Sequence, residues 1–378
     1  MRDIAFYIDI STQLNIEYTG IGNVNHQLLR WFRRHEPARS RFFLGEIVLR
    51  DAAVDTIVAR KSGAGLQDYI DSGHGTARSL TEALQADRDA RTVGLFSTAK
   101  TMRRRFDYEA QVMHDITTTL MPEFHQESTL RRHGATLLDD LASDDLVVCV
   151  SQNTFDDLAL YAGMSAERMM VAHLGVDDVA VVAPSTDVEP FLLVLGTVEP
   201  RKNVGLVLSA LRERPDLLSR WRVVFIGQNG WGADFTTLLE TFGLERLAGS
   251  RLLHLGYVPD AVRNALLANA RCMIYPSLYE GFGLPVAEAL RVGCPVITSR
   301  SSSLVEVGGP HSYLVDPFSV PEVVEALNGL DAASPDARLE SGPEARNRRQ
   351  AWASQFTWDR FCTKVHERIA ADMAVVRL

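Results

Sequence analysis

The sequence predicts an α/β protein of two domains, the second of them built on a parallel sheet. Three observations predict it. A chain of 378 residues is long for a single hydrophobic core. Its second half alternates short apolar runs with helical periodicities at the spacing of βαβ units. Several of those runs end in glycine or small polar residues, as at Gly196-Thr197, Gly227-Gln228-Asn229-Gly230 and Gly256-Tyr257. In open α/β sheets, ligands bind at the carboxyl ends of the strands, where these residues fall.

Composition narrows the class further. Hydrophobic residues make up 46% and charged residues 23%, the balance of a soluble globular protein. No apolar run approaches the ~20 residues that span a bilayer. The start, Met1-Arg2-Asp3-Ile4-Ala5-Phe6, enters a strand-like run with no signal-peptide pattern, so the expected location is the cytoplasm. The four cysteines, Cys149, Cys272, Cys294 and Cys362, are far apart, which suggests a reduced compartment and no metal knuckle. The net charge of −9 comes from the first half: residues 1–190 carry 19 Lys/Arg against 28 Asp/Glu, and residues 191–378 carry 20 of each. That balance argues against nucleic acid as a partner. Local basic clusters still occur at Arg30, Arg33 and Arg34, at Lys100 and Arg103 to Arg105, and at Arg131 and Arg132. Such clusters are either solvated helix faces or a patch for an anionic lipid surface or a phosphorylated acceptor.

Taken in order, Ile4 to Ile10 reads as a strand, followed by the glycine turn Gly20-Ile21-Gly22 and a helix marked by Val24, Leu28, Leu29 and Phe32. Arg41 to Val48 reads as one strand. Residues 51–110 show only moderate periodicity and read as helices and loops. Gln111 to Asp115 is a strand end that carries His114 and Asp115 at its carboxyl edge. Leu146 to Val150 is a buried strand, and Ser151 caps a helix through Tyr161. Met169 to His173 is another strand. Residues 183–190, with two prolines, form the expected linker. In the second half, strands fall at 191–195, 222–226, 251–255, 272–275, 295–298 and 313–315. Helices fit at 203–213, 233–242, 259–269, 284–292 and 320–330. The tail, 351–378, reads as helical, anchored by Trp352, Phe356, Trp358 and Phe361.

Two segments concentrate the chemistry. Residues 276–288 run from a buried strand through Glu280-Gly281-Phe282-Gly283 into an apolar helix with Pro285 in its first turn, where no intrahelical N–H is needed. The glycines permit a sharp turn. Free N–H groups and the helix dipole make such a junction suited to an anion. Glu280 and Glu288, on either side of it, are acceptors for sugar hydroxyls. The second segment, 195–203, places Arg201 and Lys202 after a strand, where adjacent cations suit a diphosphate. A solvent-exposed basic turn is the plainer alternative. His114 is open to three roles: a general base, a partner of a sugar hydroxyl, or a satisfied buried histidine. Asp115 would otherwise pair with a cation or a backbone amide. Neither has His or Cys neighbours at metal-ligand spacing. No Asp-x-Asp element stands at a strand end to clamp a metal. Asp139-Asp140 and Asp144-Asp145 read as surface charge around a helix end.

These motifs resemble those of the retaining glycosyltransferases of family 4, which have the GT-B fold. The resemblance rests on Glu280 and Glu288 with the Gly281-Phe282-Gly283-Leu284-Pro285 insert and on Gly196-Thr197 with Glu199-Pro200-Arg201-Lys202-Asn203. It also rests on Ser302-Ser303-Leu304 with Glu306-Val307 and Gly309, and on Leu314-Val315-Asp316-Pro317. Gly20-Ile21-Gly22, His114-Asp115 and Gly175-Val176-Asp177 fit as well.

The resemblance implies two Rossmann-like domains facing a cleft: residues 1–183 for the acceptor and 191–355 for a nucleotide-sugar donor, with a last helix, 356–378, crossing back to the first. It implies that Arg201 and Lys202 hold the diphosphate, that Glu288 binds the ribose hydroxyls and that Glu280 binds the donor sugar. Gly196 and the backbone of Phe282, Gly283 and Leu284 would lie near the sugar and phosphates, and Val258 would meet the base. Gly20 and Gly22 would approach the donor, and His114 and Asp115 would meet sugar or acceptor hydroxyls. No metal or other cofactor is expected, because the two cations supply the charge a metal would. Within the family the motifs look most like bacterial mannosyltransferases of O-antigen and exopolysaccharide assembly. That implies GDP-mannose as donor and a lipid-linked glycan or polysaccharide as acceptor; the basic clusters of the first domain would be the means of peripheral contact with the inner face of the plasma membrane. A UDP-sugar or other donor with the same chemistry is the nearest alternative, and a non-catalytic glycan-binding relative a more distant one. An NAD-dependent enzyme would need a Gly-x-Gly-x-x-Gly fingerprint after the first strand, which is missing.

Overall fold

The structure, a computed structural model, describes residues 3–14, 20–59, 76–185, 189–330 and 336–375. The chain divides into two compact units. The first comprises Met1–Leu120, Glu127–Leu174 and Trp358–Leu378, and the second comprises Met121–Gln126 and Gly175–Thr357. The second unit therefore begins before the proline-bearing segment 183–190, and Val176 N–H donates to Phe356 O within it at 3.0 Å. Of that segment, residues 186–188 lie outside the described residues.

The first unit holds an eight-stranded sheet of β1 (Ile4–Asp9), β2 (Ser40–Leu44), β3 (Ile47–Leu49), β4 (Thr76–Ser79), β5 (Arg91–Phe96), β6 (Tyr108–Met113), β7 (Leu146–Cys149) and β8 (Met169–Val171). Its order is β4-β3-β2-β1-β5-β6-β7-β8, parallel throughout except where β3 pairs antiparallel with β2 and β4. Two expectations are corrected here. The single strand 41–48 is a hairpin, with Phe43 opposite Val48 across the turn at Gly45 and Glu46. Residues 51–110 are more than helices and loops: β5 pairs with β1 at the centre of the sheet. Its Arg91, Thr92 and Gly94 hide it from an apolar-run search, and Gly94 is needed because a Cβ there would sit 2.3 Å from the Phe106 ring.

The glycines Gly20 and Gly22 also differ from expectation. They lie inside the first turn of the helix Gly20–His35 rather than in a loop before it. The tail is two helices, Pro343–Ala353 and Trp358–Val375, and not one. The second belongs to the first unit, where it buries Phe361, Cys362, Val365, Ile369 and Met373.

Two charge clusters taken for surface features are each other's partners. Lys100 is buried, with its ammonium 2.5 Å from Glu109 and 2.8 Å from Asp144, and Arg103 meets Asp140 at 2.6 Å. A buried ammonium needs such partners to offset its desolvation. Residues 100–105 thus form no uniform basic patch. Arg33 likewise pairs with Asp51 and Asp55.

The second unit holds a six-stranded, wholly parallel sheet: β9 (Phe191–Leu195), β10 (Arg222–Ile226), β11 (Leu252–His254), β12 (Cys272–Tyr275), β13 (Val296–Ser299) and β14 (Tyr313–Val315). The order β11-β10-β9-β12-β13-β14 is that of a doubly wound Rossmann sheet. Its strands read as continuous apolar runs because helices cover both faces. The core gathers Leu192, Val194, Val207, Leu211, Val223, Phe225, Ile274 and Ile297. In this order β9 and β12 are neighbours with helices leaving in opposite directions, and ligand sites form at that switch point. The loops that follow these two strands are the two segments in which the sequence concentrates its chemistry.

Candidate active site

The loop after β9 passes through Gly196 and a short turn, Pro200–Lys202, to the helix Val204–Glu213. Asn203 enters that helix in the left-handed region, at φ 57°, and its amide donates to Pro276 O and Pro317 O at 3.2 and 2.7 Å. This ties the turn to the loop after β12. Leu278 N–H donates to Arg201 O at 2.8 Å, and Arg201 donates to Tyr279 O at 2.8 Å.

At the meeting of the loops lies the Glu280 carboxylate. Its Oε1 receives Lys202 Nζ at 2.6 Å, Tyr275 OH at 2.8 Å and Ser277 Oγ at 2.6 Å. Its Oε2 lies 3.2 Å from Arg201, whose other arm meets Glu199 at 2.9 Å. Lys202 also donates to Tyr275 OH at 2.7 Å, so ammonium, phenol and carboxylate close a triangle. Burial would push the Glu280 carboxyl up, but Lys202 and Arg201 outweigh it and hold it at about 2. Burial draws the Lys202 ammonium down and pushes the Tyr275 phenol well up. A Cβ on Gly196 would lie 3.6 Å from the Tyr275 ring and 3.7 Å from the Lys202 stem, so Gly196 floors the same cluster.

The backbone of Glu280 is held as firmly as its side chain. Its N–H donates to Ser302 Oγ at 2.9 Å and its carbonyl accepts from Ser303 Oγ at 2.8 Å. Ser302 sits at φ 48°, an uncommon conformation for a residue with a Cβ. Gly283 precedes the helix Leu284–Val292 at φ 94°. A Cβ there would come within 2.7 Å of Leu304, so conformation and space both select glycine. Phe282 is buried, its ring edge-on to Phe356 at 5.5 Å.

Glu288, on the same helix, is set apart from the cation cluster. Arg263 approaches its Oε1 at 3.5 Å. Burial pushes its carboxyl up to about 7, against the pull of Arg263 and with the help of Asp178 and Asp260. Val258 lies half-buried in the loop between β11 and the helix Asp260–Asn269.

In the first unit, His114 follows β6, and its Nε2 meets Ser97 O at 2.8 Å. A carbonyl only accepts, so Nε2 carries the proton and Nδ1 keeps its lone pair. Burial holds this imidazole below its usual range, toward the neutral form. Asn25, on the helix that starts at Gly20, donates to Ser97 Oγ at 2.7 Å and to Asp9 O at 2.6 Å. Asp115 receives Thr117 N–H and Oγ1 at 2.9 and 2.6 Å, the backbone-pairing role allowed for it from the sequence.

The structure therefore brings Arg201, Lys202, Glu280 and Gly196 together, and among the described residues it leaves Glu288 with Arg263 as its ion-pair partner. The sequence assigns no role to Tyr275, Ser277 or Arg263, and shows Ser302 only as part of a motif. Tyr275 and Ser277 stand five and three residues before Glu280, close enough to have been weighed as its partners. Arg263 sits on another helix, with no local signal. Among the described residues, no three His, Cys, Asp or Glu side chains gather as a metal-binding group.

Residues 181–347 match the family described as glycosyl transferases group 1. The chain is 30% identical over 272 residues to O-antigen chain mannosyltransferase B of Escherichia coli, covering 69% of each chain. It is 28% identical over 228 residues to the serotype-specific mannosyltransferase WbdA of Escherichia coli, which covers 56% of this chain and 28% of that longer protein. Among solved structures it is similar to sucrose-phosphate synthase from Thermosynechococcus elongatus, with TM-score 0.69 and 16% identity over 99% of this chain and 100% of that one. Anabaena HepE in complex with UDP-glucose gives TM-score 0.67 and 18% identity at the same coverage. With two parallel-sheet units of the GT-B fold and a relative matched over two thirds of its length, the chain belongs to the group 1 glycosyltransferases.

Proposed function

We propose that this glycosyltransferase moves a mannosyl group from GDP-mannose to a lipid-linked or polysaccharide acceptor in the assembly of a bacterial surface glycan. The observation that carries the reading is the pair of cations, Arg201 and Lys202, fixed at the switch point of the Rossmann sheet by Glu280. Kinship with an O-antigen chain mannosyltransferase and a serotype-specific mannosyltransferase supports the sugar, and the first of them the pathway class.

In the proposed reaction the bond between sugar C1 and the diphosphate oxygen breaks, and its electron pair stays on the phosphate. Arg201 and Lys202 stabilise that growing charge, the task of a preorganised cationic site. The acceptor hydroxyl adds to C1 from the face the diphosphate leaves, and its proton passes to the departing phosphate oxygen, so the configuration at C1 is retained. The charge a metal would supply is already present, so no metal is required. Glu280 accepts four close donors and is proposed as the anchor of the cations, touching the sugar only if one of them turns to the phosphate. It is not a nucleophile, and the pair with Glu288 is not a glycosidase acid/base pair. Glu288, which among the described residues has one long ion pair, takes the ribose hydroxyls. His114 Nδ1 accepts from a sugar or acceptor hydroxyl. Peripheral contact with a membrane surface is part of the proposal through exposed basic residues of the first unit such as Arg30 and Arg34, and not through Lys100 and Arg103, which are occupied internally.

The test is transfer from GDP-mannose against UDP-glucose, with and without chelator, and the anomeric configuration of the product read by NMR. Chelator-resistant transfer from GDP-mannose alone with retention is expected. Transfer from the UDP-sugar alone keeps the fold and the cation site but sinks the mannosyl assignment.

A further inference from the structure

We propose that Arg263 is a positioning residue for donor binding: its guanidinium favours the ionised form of the Glu288 carboxyl and aims it so that both its oxygens can receive the paired hydroxyls of a ribose. This rests on the reading of the second unit as the nucleoside-diphosphate site. The geometry is specific. Arg263 stands on the helix Asp260–Asn269 and reaches across to Glu288 on the helix Leu284–Val292. One arm of its guanidinium meets Glu288 Oε1 at 3.5 Å, and the other meets Asp260 Oδ1 at 3.3 Å. Its Nε is buried without a hydrogen-bond partner among the described residues. The Glu288 side chain is 13% exposed. It is thus a carboxylate cut off from most water, with one long ion pair among the described residues in place of a solvation shell.

The remaining charged neighbours work against ionisation. Asp260 and Asp178 both raise the Glu288 carboxyl, in addition to burial, and among the described residues Arg263 is the group that lowers it. From the helix Pro343–Ala353, Arg346 and Arg349 reach Val292 O and Gly293 O at the far end of Glu288's helix. A ribose presents two hydroxyl donors, which a carboxylate can accept together and a protonated carboxyl cannot without turning one oxygen into a donor. Arg263 therefore sets the pH above which the nucleotide binds well. The sequence alone would class it as an exposed helix charge paired with Asp260 three residues before it.

The experiment is calorimetric titration of GDP and of UDP into the full chain between pH 6 and pH 9, for the wild type, Arg263→Met, Arg263→Lys and Glu288→Gln. The nucleotide phosphate titrates alike in all four, so the Glu288 contribution is read against Glu288→Gln. The wild type should gain affinity as pH rises through neutrality. Arg263→Met should lose about fivefold to tenfold at pH 7 and recover most of it by pH 9, as for a carboxylate whose pKa rises by about one unit when its cation leaves. Arg263→Lys should keep the wild-type midpoint. A loss of equal size at every pH, or no loss, overturns the role of Arg263 while a weakened Glu288→Gln still upholds the ribose site. Unchanged affinity in Glu288→Gln, or no saturable binding of either nucleotide to the wild type, overturns the site itself and Arg263 with it.

Discussion

Lys202 Nζ lies 2.6 Å from Glu280 Oε1, and both atoms bond the same phenol, Tyr275 OH. The cation proposed to face the diphosphate is therefore oriented before any substrate arrives. Removing it should cost turnover and stability by different mechanisms. Lys202→Ala should lower kcat by ~100-fold or more, the scale for deleting one preorganised charge-stabilising group. It should also cost about 3–5 kcal/mol of stability, because Glu280 is left buried with fewer partners. Lys202→Met keeps most of the volume and separates the two effects. Activity within a few-fold of wild type in either variant, at a temperature where circular dichroism shows native structure, would refute the role.

The two glutamates should respond oppositely to pH. Glu280 has its carboxyl held at about 2, below the 4.5 of a free glutamate. Its contribution to stability is complete above 4.5 and lost only as pH falls toward 2. Glu288 has its carboxyl raised to about 7. Below 4.5 it is protonated in both folded and unfolded chains and has no effect. As pH rises from 4.5 through 7 the unfolded chain ionises first, so stability declines, by roughly 3 kcal/mol in all. Glu288→Gln should therefore melt near the wild-type temperature at pH 5 and several degrees higher at pH 8, while binding nucleoside diphosphate more weakly. A lower melting temperature at pH 8 would contradict the burial argument.

The second unit was legible because its strands are continuous apolar runs, and each glycine-ended strand leads to a helix. Arg201, Lys202, Glu280 and Glu288 were legible for the same reason: all follow strand ends. What hid from the sequence was assembled across distance. β5 hid behind Arg91, Thr92 and Gly94, and only the ring of Phe106 explains that glycine. Lys100 looked like surface charge because its partners, Glu109 and Asp144, come from elsewhere in the chain. Arg263 meets Glu288 from another helix, a contact that no spacing rule can display.

Gly283→Ala tests whether the turn between Glu280 and its helix tolerates a side chain. The residue has φ 94°, and the new Cβ would stand 2.7 Å from Leu304 Cδ2. Strain and clash together should cost about 1–3 kcal/mol. The Glu280 carboxylate would be displaced with the loop, so kcat should fall more than the binding of free nucleoside diphosphate. Wild-type melting and kcat together would show that the turn can relax without disturbing the cations.

The helix Trp358–Val375 completes the first unit. Trp358, Phe361, Val365, Ile369 and Met373 are buried, Asp372 accepts from Tyr108 OH at 2.6 Å, and Asp359 accepts from Trp31 at 3.0 Å. Burying side chains of this size contributes about 1.5–3 kcal/mol each. Their sum is comparable to the whole stability of a typical domain, about 5–15 kcal/mol. A chain ending at Thr357 should therefore fail to accumulate as folded protein, with loss of structure centred on the first unit. The milder Phe361→Ala should cost about 3–5 kcal/mol, measured by urea unfolding. Hydrogen exchange should show faster exchange in β1, β5 and β6, and unaltered protection in β9 and β12. Protection lost equally from both sheets would mean that the helix stabilises the chain as a whole and not the unit whose core it fills.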